Sequence, residues 1–173
     1  MTTLLTAFSD TKKGTINKAT VEVDIRPGVG IHLVGLADTA VKESLLRVIT
    51  AMESCGYRFP GQKVIINIEP ADLRKTGEGF DLPIALGILL ESGQVKFDQE
   101  GFIFHGQLGV DGAIRPTGQE RSIMEEGKLS GAFVCGKLDS KDEEEYEEYE
   151  YCGYYGFSTL RELIDYAEFV WND

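Results

Sequence analysis

The stretch Arg74-Lys75-Thr76-Gly77-Glu78-Gly79 is the best equipped for chemistry in this sequence. A polar loop with two glycines and two cations runs straight into Phe80-Asp81-Leu82-Pro83 and the apolar run Ile84 to Leu90. If a helix starts at Asp81, its first amides face the loop, and amides at a helix start can cradle an anion. Arg74 and Lys75 add positive charge. The candidate anion- or ligand-binding set is therefore Arg74, Lys75, Thr76, Gly77 and Gly79. The plainer reading is steric: glycines let one backbone lie close against another.

Other reactive groups are sparse. The two histidines, His32 and His105, fall in expected strands, where a structural role is the ordinary one. Cys55 falls at a helix C-terminal end, the wrong end of the dipole for a thiolate. Cys135 lies in an apolar strand. No CxxC, HxxxH or calcium-loop spacing occurs, so the sequence offers no metal site. There is no GxxxxGK[ST], so this chain is expected to bind neither ATP nor its magnesium. Asp139 to Glu150 is a run of acids. Such a run is usually a solvated loop. Its interleaved tyrosines, Tyr146, Tyr149, Tyr151, Tyr154 and Tyr155, would pack part of it down or dock on a partner.

Composition narrows the classes. The formal charge of -12 opposes nucleic-acid binding, because phosphate contacts need clustered cations. Three scattered cysteines read as reduced thiols of a cytoplasmic protein. No apolar run is long enough to cross a bilayer. One domain over 1–173 is expected, with 139–156 as an acidic, Tyr-rich insertion.

These residues need elements to position them. Thr2 to Phe8 reads as a first strand and Thr11 to Gly14 as a turn. Ala19 to Ile25 alternates apolar and polar, the mark of a half-buried strand. Ile31 to Leu36 reads as its hairpin partner. Asp38 caps a helix whose face is Val41, Leu45, Val48, Ile49 and Met52, and Gly56 ends it. Lys63 to Ile68 reads as a strand covered on both faces. The helix from Asp81, which the sequence predicts as its own cap, is apolar all round and therefore central. Phe102 to Leu108 and Ala113 to Ile114 flank Val110-Asp111-Gly112, expected as a type I′ hairpin turn. A helix over Gln119 to Lys128, a strand over Gly131 to Cys135 and a helix over Ser158 to Val170 follow. For the last, Ser158 is the expected cap, without a full capping box. The order predicts an α+β fold, a mixed sheet with helices packed on one face.

Three stretches carry a family resemblance: VEVDIRPGVGIHLVGLADTAVKESLLRVITAMESCGYRFP, ADLRKTGEGFDLPIALGIL and GQLGVDGAIRPTG. Together they resemble the N-terminal domain of the magnesium-chelatase-like (ComM/YifB) family of AAA+ proteins, over about Val21 to Gly118. The resemblance implies a fold like the proteolytic domain of Lon, shared with a ribosomal-protein domain and containing a left-handed βαβ crossover. In full family members an ATPase module follows, which holds the ATP and magnesium; it is absent from this sequence. Lon-type proteases use a serine and a lysine. Their positions fall here on or beside Phe80 and near Arg121. Phe has no nucleophile, and Arg stays charged and cannot accept a proton.

The resemblance thus implies a non-enzymatic accessory or oligomerisation domain in a DNA-handling setting, with self-association or an AAA+ module as partner. The alternatives are an anion-binding module using Arg74 to Gly79, and a degenerate serine peptidase. Arg58, Lys63, Arg74 and Lys75 are expected to share one edge, the only place for weak nucleic-acid contact.

Overall fold

The computed structural model describes residues 1–10, 12–35, 38–73, 75, 79–126, 131–139 and 153–172. Strand β1 (Thr2–Asp10) turns back through a hairpin into β2 (Thr15–Arg26). Asp10 makes the turn: its carboxylate accepts from the amides of Lys12 and Lys13, a local bond that Asp side chains make readily. β3 (Ile31–Val34), helix α1 (Thr39–Ser54) and β4 (Lys63–Glu69) follow. Then come α2 (Asp81–Glu91), β5 (Phe102–Phe104), the short ribbon β6 (Gln107–Leu108) and β7 (Ile114–Arg115), and α3 (Glu120–Glu126). β8 (Ala132–Gly136), β9 (Tyr154–Phe157) and α4 (Leu160–Val170) complete the described elements.

Seven strands form one mixed sheet in the order β3-β4-β2-β1-β5-β8-β9. β2 is antiparallel to both β1 and β4, while β3 and β4, β1 and β5, β5 and β8, and β8 and β9 run parallel. The α+β class holds. The expected hairpin between β2 and β3 does not form, because β4 lies between them. The apolar run of β4 needs a neighbour on each side to satisfy its amides and carbonyls, and β2 and β3 provide them.

Helices do not share one face. Alternation along β5 and β8 sends Phe102, Phe104 and Val134 to the larger core with α1, α2 and α4. Ile103, Phe133 and Cys135 point to the other side, where they meet Ile123 of α3 and Ala7. A strand residue and its successor face opposite sides, so β5 and β8, apolar on both faces, need cover on both.

α2 is the central helix. Asp81 to Leu89 are all buried. Gly87 lies over the sheet so closely that a Cβ there would stand 2.6 Å from Val23 Cγ2. Asp38 caps α1 by accepting from the Val41 amide at 2.9 Å. Gly56, φ 86°, follows the C-cap Cys55.

Some local expectations shift. The tight turn between β6 and β7 centres on Val110 and Asp111, closed by the Gly112 amide on Gly109 O at 2.9 Å. Gly112, φ 85°, therefore follows the turn rather than sitting inside it. Thr159, not Ser158, caps α4, its hydroxyl accepting from the Glu162 amide at 3.0 Å. The Glu162 carboxylate reaches back to the Ser158 amide, so the start is a near-complete capping box displaced by one residue. β9 is an added strand. Its Tyr154 hydroxyl accepts from the Leu138 amide at 2.9 Å, and Tyr155 packs edge-on against Trp171. Tyr146, Tyr149, Tyr151 and the acidic run beyond Asp139 lie outside the described residues.

Candidate functional site

The start of α2 is where the chemistry-bearing side chains converge. Asp81 is not its own helix's cap: Phe80 holds the cap position and makes no side-chain cap bond. The Asp81 carboxylate instead takes Nε and Nη2 of Arg47 at 2.8 and 3.1 Å and the Leu108 amide at 2.9 Å. It is fully buried. Burial pushes its pKa up, and Arg47 and the amide pull the other way. Ser44, one turn before Arg47, is buried beside them, and its hydroxyl adds to the groups that favour the charged carboxylate.

Beside this pair runs a second buried chain of polar groups. His105, at the end of β5, places Nδ1 2.8 Å from Ala7 O and Nε2 2.6 Å from Thr117 Oγ1. A carbonyl only accepts, so Nδ1 carries the proton and Nε2 of the neutral ring is an acceptor. The Thr117 hydroxyl has one proton and two acceptors in reach. Nε2 is nearer than the Glu120 oxygens at 3.3 and 3.2 Å, so it takes the proton. Glu120 accepts from the amides of Thr117 and Gly118. Both His105 and Glu120 are buried. Desolvation pushes the His105 pKa down, and the Glu120 charge opposes that.

Gly79 makes the arrangement possible. Any Cβ at Gly79 would collide with the His105 ring, and the Gly106 amide donates to Gly79 O at 3.0 Å. The requirement is close approach rather than an unusual φ.

A hydroxyl bonded to imidazole is the arrangement of a nucleophile and its base. Here the neighbouring amides of Thr117 and Gly118, which could hold an oxyanion, already bind Glu120. Their geometry suits a structural tie between β1, β5 and α3.

Phe80 and Arg121, expected from the resemblance at degenerate dyad positions, are placed as follows. Phe80 is 1% exposed, with its ring centroid 5.5 Å from that of Phe8. Arg121 donates to Asp139 O at 2.8 Å. Of the loop candidates, Arg74, Thr76 and Gly77 lie outside the described residues. Lys75 is buried, its ammonium donating to Gly35 O at 2.7 Å and to Pro70 O. Burial pushes its pKa down; Glu69 and Asp72 push it up. The ammonium thus points at carbonyls inside the fold.

The expected basic edge is not assembled. Lys63 opens β4, and Lys75 bonds Pro70, one residue past its other end. Lys63 and Pro70 are seven residues apart along the strand, a span of roughly 20 Å at the usual rise per residue. Among the described residues, no group of three or more His, Cys, Asp or Glu could hold a metal, and no helix is long and apolar enough to cross a membrane.

Sequence reasoning missed Glu120 and the Arg47–Asp81 pair. Thr117-Gly118-Gln119-Glu120 has the T-x-x-E spacing of a capping box, which marks Glu120. Nothing local marks Arg47, 34 residues from its partner.

Comparison with known proteins adds the relatives. A family model described as subunit ChlI of Mg-chelatase matches residues 21–134. A protein of Escherichia coli known as YifB is 40% identical over 128 residues, covering 72% of this chain and 25% of that protein. The competence protein ComM of Haemophilus influenzae is 40% identical over 98 residues, 56% of this chain and 19% of that protein. The chain spans at most about a quarter of these relatives' length. With 21–134 of its 173 residues matched, the chain belongs to the magnesium-chelatase-like family of ChlI, YifB and ComM.

Proposed function

We propose that the chain is a non-catalytic accessory and oligomerisation domain of a magnesium-chelatase-like AAA+ protein. The observation that carries the reading is the filled start of α2. Phe80 is packed on Phe8 where a nucleophile would sit, Gly79 is packed on His105, and Asp81 is held by Arg47. A site so occupied by its own side chains has no room for a scissile bond.

The finer fold reading is a Lon-like domain with a left-handed crossover, and a mixed sheet with a buried central helix supports it. ATP and magnesium would belong to a separate ATPase module, since this sequence has no P-loop. The partner would be that module or further copies of the chain, in the cytoplasm. DNA processing is the proposed setting, following the word competence in the name of the Haemophilus influenzae relative.

The test has two parts. Light scattering after size exclusion, with and without a family ATPase module, should show self-association or a complex. Peptidase and ATPase assays of the chain alone should stay at the buffer blank. A strictly monomeric chain that ignores the module, or hydrolysis that survives repurification and is lost on mutating Thr117, sinks the reading.

A further inference from the structure

A cavity of about 310 Å³ opens at the end of the molecule where α1 hands over to β4. It is lined by Arg58, Phe59, Pro60, Gly61, Gln62, Ser92 and Gln94. Acids outnumber bases by 29 to 17 in this chain, yet among the described residues no carboxylate lines the cavity. One cation, Arg58, does, and its guanidinium has no ion pair or hydrogen bond among the described residues. An Arg without an ion pair, beside a hollow to which no described residue brings a carboxylate, favours a negative ligand.

The walls are held in place before any ligand arrives. The Gln94 amide clamps the Arg58 backbone twice, accepting from its N–H at 2.9 Å and donating to its C=O at 2.7 Å. The same Nε2 lies 2.9 Å from Ser92 Oγ. Phe59 packs against the main core and is only half-buried, so part of its surface is left over. A planar guanidinium binds an oxyanion through paired N–H donors and also stacks on flat groups. An exposed part of an aromatic ring gains by covering an apolar ring. Gln62 also lines the cavity. The volume lies at the lower end for small-molecule sites.

We propose that this cavity binds a small organic oxyanion carried on a flat ring, with Arg58 taking the oxyanion and Phe59 the ring. This site is separate from the start of α2, since Ser92 and Gln94 follow that helix's other end. It stands whether or not the chain is an accessory domain. A ring carboxylate and a ring phosphate monoester share the chemistry, and the experiment separates them.

The measurement is calorimetric titration of the full chain with benzoate and with phenyl phosphate, followed by backbone amide shifts in NMR. Saturable binding in the millimolar range or tighter is expected for at least one probe, with the largest shifts at Arg58 to Gln62 and Ser92 to Gln94. Whichever probe binds tighter identifies the oxyanion. Arg58→Ala should weaken that probe at least about tenfold, the loss of one charge-assisted pair. Arg58 is exposed, so this variant should fold. Gly61→Leu should also block binding: a Cβ there meets nothing within 4 Å, so the side chain is accommodated where it lines the cavity. Lys12→Ala, an exposed lysine in the β1–β2 turn, at the end of β2 opposite the Arg26 that pairs with Lys63, should leave binding unchanged. Absence of saturation by either probe, equal binding by Arg58→Ala, or shifts centred elsewhere would overturn the proposal.

Discussion

His105 Nε2 lies 2.6 Å from Thr117 Oγ1, across 12 residues of chain that include the β6–β7 ribbon. This bond ties the loop that follows the ribbon to the end of β5. The ring that makes it also lies against Gly79, just before α2. Because the ring is buried and Nδ1 is committed to Ala7 O, the bond depends on His105 staying neutral.

Stability should therefore fall on mild acidification. Burial pushes the folded pKa of His105 below 6.5, with Glu120 opposing, so the unfolded chain binds that proton first. The contribution is fully present above about pH 6.5 and is lost as pH falls from there toward the folded pKa. Urea midpoints between about pH 7.5 and 5.5 should decline in the wild type. His105→Gln, uncharged throughout, should be less stable at the upper pH and flatter across the range. A wild-type midpoint constant across this range would refute the neutral, buried ring.

Gly79→Ala should destabilise strongly. The added Cβ meets the His105 ring, which is fixed at both nitrogens and has nowhere to go. A loss of at least about 2–3 kcal/mol is expected, the upper part of the range for overpacking. In the double variant Gly79→Ala/His105→Ala the clash is gone, so the second substitution should cost less than it does alone. Additive losses in denaturant unfolding would show that the two residues do not touch.

Asp81→Ala tests the other buried tie. It removes the bidentate partner of Arg47 and leaves the Leu108 amide without an acceptor. About 3 kcal/mol should be lost, in line with breaking a buried pair from one side. Asp81→Asn keeps an acceptor and should recover part of it. Thermal unfolding that ranks Asn below Ala would contradict this geometry.

Oligonucleotides should bind weakly at best. Lys63 and the Lys75 ammonium sit at opposite ends of β4, and Lys75 is turned onto carbonyls, so no continuous basic strip joins these two. Affinity on the order of 10⁻⁴ M or weaker at physiological salt is expected. Fluorescence anisotropy over a salt series checks it. Micromolar binding with a steep salt slope would mean that another surface carries DNA contacts.

The sequence by itself determined whatever follows from nearest neighbours and period. Asp38 and Gly56 bound α1 because capping and left-handed stops act within one turn. The unbroken apolar run after Asp81 could only be a buried helix. The three family stretches fixed membership, because matching motifs need no coordinates. Tertiary structure alone decided the rest. β4 entered between β2 and β3 because strand pairing satisfies backbone groups far apart in sequence. α3 went to the second face because β5 and β8 are apolar on both. Lys75 reads as an exposed cation in a polar loop, and becomes a buried donor only once Gly35 and Pro70 are brought beside it. His105, Thr117 and Glu120 are ordinary residues in sequence; the burial of His105 and Glu120, where water cannot complete their hydrogen bonds, makes them depend on Thr117 and its neighbouring amides.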